Sequence, residues 1–337
     1  MSSPTFILPD FFANCPYQAR LNPLTDVVTK TAQEWILTEA NYDDDQRARF
    51  LKVCGGILAG YCYPNADSFH LQICGDWLDW VFVLDDWTDG YTDTQVQSTV
   101  NSIKRCLRDP HSHQDNTPIC LLAKDLFGRF FKTAGPRCAK RFIRTMDLYV
   151  DGVFEESAVR EHGALDLEGY IALRRETSGV RPCLVLIESA AGIDLPDEVI
   201  EHPVIRSMED ATNDWVSWTN DIFSYNKEQA AGDPHNLIAV LMRDRNLELQ
   251  PAVDLAGQLC FDCIAKFEAD REVLPSWGAE VDCLVDIYIQ GLQDWIIGSL
   301  HWSFACQRYF GSKGEEIKQH RVVNLQSREA RSVRATC

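Results

Sequence analysis

His70 to Asp86 reads HLQICGDWLDWVFVLDD. From Trp77 to Leu84 the run is almost entirely apolar, which suits a helix enclosed on most of its sides. Such a helix delivers Asp85 and Asp86 to the rim of an interior, with Asp89 following one turn later in DDWTD. Strand-like alternation is scarce along the rest of the chain. Helix-length segments separated by short Pro, Gly or Asp punctuation predict helices over 25–39, 45–61, 66–87, 95–107, 116–132, 136–155, 167–178, 183–191, 204–229, 235–242, 249–272 and 280–310. The prediction is an all-α, single-domain helical bundle over 25–310. An N-terminal arm, 1–24, carries four prolines and is expected to wrap the bundle irregularly. A locally basic tail, 311–337, contains Lys313, Lys318, Arg321, Arg328, Arg331 and Arg334, and is expected to be mobile or to fold over an anionic ligand.

The 337 residues are 45% hydrophobic and 24% charged, so a sizeable core is available. A formal net charge of −18 repels nucleic acid and acidic membrane faces, which sets aside nucleic-acid binding. No stretch approaches the roughly 18 to 20 apolar residues that span a bilayer. MSSPTFILPD lacks a basic region followed by an apolar run. A soluble, cytoplasmic protein is expected. Thirteen cysteines are scattered from Cys15 to Cys337 without regular spacing, and reduced core thiols are the expected state. The one CxxC, Cys260 to Cys263, has no second pair at zinc-site spacing and reads as core.

Two acidic signatures carry chemistry. On a helix Asp85 and Asp89 share a face with side-chain origins ~6 Å apart. At an effective dielectric of 20 that repulsion is about 3 kcal/mol. Alone, such a cluster is more often a solvated helix end, as in YDDDQRARF (Tyr42–Phe50), where Asp43 to Asp45 suit a helix N-terminus. The second signature changes the odds. In WTNDIFSYNKEQ, Asn220, Ser224 and Glu228 recur every four residues and line one helix face. Amide, hydroxyl and carboxylate are hard oxygen donors of low total charge, the set that leaves Mg²⁺ room for water and phosphate oxygens. Lys227 is placed to meet the same phosphate as a point charge.

With these two motifs the sequence resembles the class I terpene synthases, the fungal (basidiomycete-type) sesquiterpene synthases above all. DDWTD matches the aspartate-rich motif of that family and NDIFSYNKE its second metal motif. LRRETSGVRP places Arg175, Ser178 and Gly179 in the spacing of a diphosphate-sensing arginine, a linker residue and a carbonyl at a helix break. WSFACQRYF supplies Arg308 and Tyr309, the diphosphate-binding pair, with Trp302 six residues ahead. Ser178 departs from the aspartate of many relatives, and Trp87 is a bulky residue inside the aspartate motif.

The resemblance implies an all-α fold around a central apolar active-site cavity, and a synthase that ionises farnesyl diphosphate to a sesquiterpene hydrocarbon or alcohol. It implies metal ligands Asp85, Asp89, Asn220, Ser224 and Glu228, with Asp85 ranked above Asp89 and Asp89 above Asp86. The implied cofactor is Mg²⁺, three ions, with Mn²⁺ able to substitute. Arg175, Lys227, Arg308 and Tyr309 are the implied diphosphate ligands. Phe82 and Trp302 are the implied faces for cationic intermediates, with Trp215 and Trp218 in second rank. Trp77, Trp80 and Trp295 read as core, and His301 receives no role. Two other readings stand beside this one. A prenyl-chain-elongating transferase would share helices, metal and substrate but carries two aspartate-rich motifs, where this chain has one. A non-catalytic helical protein of the same fold leaves four separate diphosphate features unexplained.

Overall fold

A computed structural model describes residues 4–88, 90–110, 114–162 and 165–327, without the side chains of 160–162. Two short strands, β1 (Thr5–Ile7) and β2 (Val322–Asn324), enclose sixteen helices among these residues. In chain order they are α1 (Phe11–Asn14), α2 (Thr25–Glu39), α3 (Asp44–Phe50), α4 (Gly55–Cys62), α5 (Ser68–Thr88), α6 (Asp93–Arg108), α7 (Pro118–Phe130) and α8 (Pro136–His162). The second half contributes α9 (Leu167–Thr177), α10 (Val180–Ala191), α11 (Asp197–Ile200), α12 (Pro203–Ala231), α13 (Leu237–Asp244), α14 (Leu249–Glu272), α15 (Ala279–Ala305) and α16 (Gly314–His320).

The segment that decided the fold is α5, with Trp77 and Trp80 wholly buried. It packs against α2, α4, α7 and α10, while α12 lies against α14 and α15, and α8 against α6, α9 and α10. Helices α4, α5, α8, α9, α10, α12 and α15 together wall one interior cavity. Local sequence sets the helix ends. Asp43 caps α3 through a reciprocal box with Gln46, and Thr92 does the same for α6 with Gln95. Gly179 and Gly232 take positive φ, at 69° and 76°, where α10 begins and α12 ends.

Three expectations are corrected. The predicted helix over 45–61 is two helices, because Cys54 adopts a left-handed backbone (φ 55°, ψ 56°). That break is held from outside: the Trp302 indole donates to the carbonyls of Val53 and Cys54, and the Gly55 N–H donates to Asp79. The predicted helix over 280–310 stops at Ala305, where Cys306 turns extended and frees the chain that carries Arg308 and Tyr309. Helix α8 continues past residue 155 because ESAVREH holds neither Gly nor Pro.

The chain termini are more regular than proline content and charge imply. β1 pairs antiparallel with β2, Phe6 opposite Val323, and both side chains are buried. Residues 311–320 form a short 3-10 turn and α16, and Asn226 and Gln229 of α12 bond the backbone of Asn324 and Gln326. The expected mobile tail is thus folded as far as residue 327, while Arg328, Arg331 and Arg334 lie outside the described residues. All cysteines among the described residues are free thiols, with Cys260 and Cys263 buried in α14. Among the described residues no helix is long and apolar enough to cross a membrane.

Candidate active site

The cavity has a volume of about 260 Å³. Asp85 reaches it from the last turn of α5 because the apolar part of that helix, ending at Leu84, is gripped by its neighbours. Opposite, α12 presents Asn220, Lys227 and Glu228 to the cavity, and Arg308 and Tyr309 close over it from beyond α15. Arg308 joins the two sides, its guanidinium 3.7 Å from the Asp85 carboxylate.

Four of the expected residues are placed differently. Arg175 does not line the cavity; it makes two bonds of 2.7 Å to Asp214 on the other face of α9. Its neighbour Arg174 lines the cavity instead, donating to Asn220 Oδ1 at 2.9 Å and to Asp221 Oδ1 at 3.0 Å. Ser224 is buried on the same turn-to-turn stripe as Asn220 and Glu228 but does not reach the cavity surface, its Oγ lying 3.4 Å from the Asp221 carbonyl. Trp215 and Trp218 are core residues away from the cavity; the Trp215 indole donates to the Ile296 carbonyl. Asp86 faces Arg49 at 3.8 Å, and Asp89 lies outside the described residues.

Ser178 and Gly179 do line the cavity, at the break between α9 and α10. Ser178 Oγ donates to Asn213 Oδ1 of α12 at 2.9 Å, which couples this break to the helix carrying Asn220. Phe82 and Trp302 stack with centroids 5.6 Å apart and planes at 24°, and Arg308 sits 4.6 Å from the centre of the Phe82 ring.

Burial and the neighbouring Asp221 push the Glu228 carboxyl up to about 7. Its Oε2 accepts from the Asn236 amide at 2.8 Å. Burial opposes the charge of Arg174, yet Asp221 and Tyr170 outweigh it and hold the guanidinium protonated. Burial also raises the Tyr309 hydroxyl, to about 12, so it stays a neutral donor and acceptor; the Asn220 amide donates to it at 2.5 Å. The polar end of the cavity is therefore donor-rich but acidic in balance, with Arg174, Lys227 and Arg308 set against Asp85, Glu156, Asp221, Glu228 and Asp233.

Residues 76–266 match the family model described as terpene synthase family 2, C-terminal metal binding. The chain belongs to the terpene synthases. Sesquiterpene synthase 3 of Postia placenta is 42% identical over 94% of this chain and 87% of its own length. Alpha-muurolene synthase of Coprinopsis cinerea is 42% identical over 96% of this chain and 78% of its own. In fold, the crystal structure of a-eudesmol synthase superposes with a TM-score of 0.79 at 21% identity, covering 86% of this chain and 97% of that one. The enzyme is a terpene synthase of the lyase type, with a divalent metal cofactor implied by the family's metal-binding domain.

The donor set fits such an ion. Among the described residues there is no group of three or more His, Cys, Asp and Glu gathered to hold a metal. What the synthase offers instead is a mixed set, Asn220 and Glu228 on one helix with Asp85 across the cavity, and Ser224 between the first two on their stripe but short of the cavity surface. An anion as poorly solvated as Glu228 is the kind a cation relieves. Some site residues escaped sequence reading. Trp295 is core, as expected, but also lines the cavity. Its signal was present: Trp295, Ser299, Trp302 and Ser303 fall at i, i+4, i+7 and i+8 of α15 and all face the cavity. Arg174 was hidden by its neighbour, because only the rotation of α9 separates the two arginines.

Proposed function

We propose that the protein is a Mg²⁺-dependent sesquiterpene synthase that ionises farnesyl diphosphate, releases diphosphate and turns the allylic carbocation into a cyclic sesquiterpene hydrocarbon or alcohol. The observation that carries this reading is the polarity split of a single cavity. Polar Asp85, Asn220, Lys227, Glu228, Arg174, Arg308 and Tyr309 line it together with apolar Phe82, Trp302, Trp295, Leu58 and Leu78, and Leu78 and Phe82 precede Asp85 by two turns and one turn of α5. A chain with an anionic head and a long apolar body fits that split, and the relatives named sesquiterpene synthases support a C15 body.

Asp85 on one wall and Asn220, Ser224 and Glu228 on the other would hold Mg²⁺, three ions by resemblance, with Mn²⁺ able to substitute. When bound, the metal supplies Lewis-acid stabilisation of the leaving diphosphate. Lys227, Arg308 and Tyr309 bind diphosphate oxygens, joined by Arg174 in the role expected of Arg175. Ser178 and Gly179 transmit the position of α9 to the start of α10. As the carbon–oxygen bond breaks, positive charge develops on the prenyl chain beside the aromatic wall that Phe82 and Trp302 form. The Arg308 and Tyr309 segment excludes water that would quench the cation.

The test is incubation of purified protein with farnesyl diphosphate and Mg²⁺ or EDTA, followed by gas chromatography–mass spectrometry. Metal-dependent C15 products are expected. No product from farnesyl, geranyl or geranylgeranyl diphosphate overturns the synthase reading, and longer prenyl diphosphates as products would replace it with chain elongation.

A further inference from the structure

Asp79 is a buried acid that the chemistry above does not use. It lies on α5 with no exposed surface, and it is not part of the cavity wall. One oxygen, Oδ1, accepts the Gly55 N–H at 3.0 Å; the other, Oδ2, has no hydrogen-bond partner. A half-satisfied carboxyl in an apolar core is costly and calls for a reason.

The reason lies in the turn that Oδ1 holds. Gly55 opens α4 directly after the left-handed Cys54, and its own Cβ, were there one, would sit 2.3 Å from Asp79 Oδ1. The glycine is required there because the carboxyl comes so close. A non-glycine residue in left-handed backbone persists only where its surroundings over-determine it. Here Asp79 pins the turn on one side. On the other, the Trp302 indole N–H bridges the carbonyls of Val53, at 2.9 Å, and Cys54, at 3.2 Å. Trp302 in turn stacks on Phe82 and meets Tyr309 edge-on at 5.6 Å. The acceptors that orient the indole thus sit on a turn whose next N–H is anchored by Asp79.

We infer that Asp79 is a positioning residue for product specificity: through Gly55 it fixes the Val53–Cys54 carbonyls, and through them the angle at which Trp302 faces the cavity. The inference deepens the sesquiterpene synthase reading and rests on it for its product readout. Burial pushes the Asp79 carboxyl up to about 8, so the group is neutral at pH 7 and Asn is its nearest replacement in charge and shape.

The test compares wild type, Asp79→Asn, Asp79→Leu, Trp302→Phe and the double variant Asp79→Leu/Trp302→Phe as full-length proteins. With farnesyl diphosphate and Mg²⁺, Asp79→Leu and Trp302→Phe should each shift the ratio of major to minor products about threefold or more, and Asp79→Leu should do so with KM within about twofold. Asp79→Asn should keep the parental ratio, and the double variant should shift no further than either single one. The second readout needs no turnover. With ¹⁵N-tryptophan labelling, the Trp302 indole resonance, identified by its loss in Trp302→Phe, should move and exchange faster in Asp79→Leu but not in Asp79→Asn. A folded Asp79→Leu with an unmoved indole resonance, additive product shifts, or parental ratios in Trp302→Phe would overturn the inference. If Asp79→Leu does not fold, Asp79→Ala takes its place in both readouts. A wild type that makes no terpene defeats the synthase reading alone, because the indole measurement stands by itself.

Discussion

Arg308 and Asp85 face each other at the cavity, 3.7 Å between guanidinium and carboxylate, although more than half of the chain separates them in sequence. The Asp85 side chain is 57% exposed and that of Arg308 24%, so the contact joins a solvent-facing carboxylate to a shielded cation. An ion pair this open adds little to stability. Its consequence is placement: both groups line the same end of one cavity.

Asp85→Asn should therefore abolish metal-dependent turnover with a melting temperature within about 2 °C of wild type. Terpene assay and thermal unfolding check this together, and wild-type activity would remove Asp85 from the metal site. Glu228→Gln should lose turnover equally. Its carboxyl is shielded, so its neutral isostere also spares the metal-free fold a poorly solvated charge above pH 7.

Arg174 and Arg175 should separate in kinetics. Arg174→Ala removes the cation beside Asn220 and should raise KM and lower turnover by a combined factor of about 100 or more, at a stability cost of about 3 kcal/mol for the stranded Asp221. Arg175→Ala breaks the pairs with Asp214 and Asp210, away from the cavity, and should keep turnover within about fivefold while lowering stability. The reverse ranking would return the sensing role to Arg175.

Arg308→Ala deletes both the partner of Asp85 and the cation over Phe82. Steady-state kinetics should show weaker capture of the diphosphate and a larger share of alcohols from water entry. Unchanged kinetics and products would take it out of the site.

Trp295 and Trp215 offer a paired test of the cavity wall. Trp295→Phe should alter product ratios, since that ring lines the cavity, whereas Trp215→Phe should preserve them and cost about 1 to 3 kcal/mol through its lost bond to the Ile296 carbonyl. Product profiles beside denaturant unfolding separate the two outcomes.

Asp79 gives a pH dependence of definite sign. Burial raises its carboxyl from 3.8 to about 8, so between those values the folded protein holds a proton that the unfolded chain releases. Its contribution to stability is present below about pH 4 and is lost as pH rises towards 8, by at most about 1.4 kcal/mol per pH unit. Asp79→Asn has no such proton, so its stability should gain on wild type between pH 5 and pH 8. A constant difference across that range would contradict a neutral Asp79.

Helical periodicity, the enclosed run of α5 and the two metal motifs were legible in the residues themselves, because each depends on neighbours three or four apart along one helix. That local geometry is why α2 and α14 match their predicted bounds, 25–39 and 249–272. Which arginine of the pair at 174 and 175 enters the cavity was not legible: adjacent residues differ by about 100° around a helix, and the packing of α9 on α8 and α12 sets that rotation. The break at Cys54 was equally hidden. Nothing in KVCGG compels a left-handed cysteine, and it is held by Asp79 from α5 and by Trp302 from the far end of the chain. The sequence by itself determined the helices and the chemical types at the metal-binding face. Tertiary packing alone decided which side chains converge on the cavity and how its aromatic wall is turned, because those angles are set by partners far away in the chain.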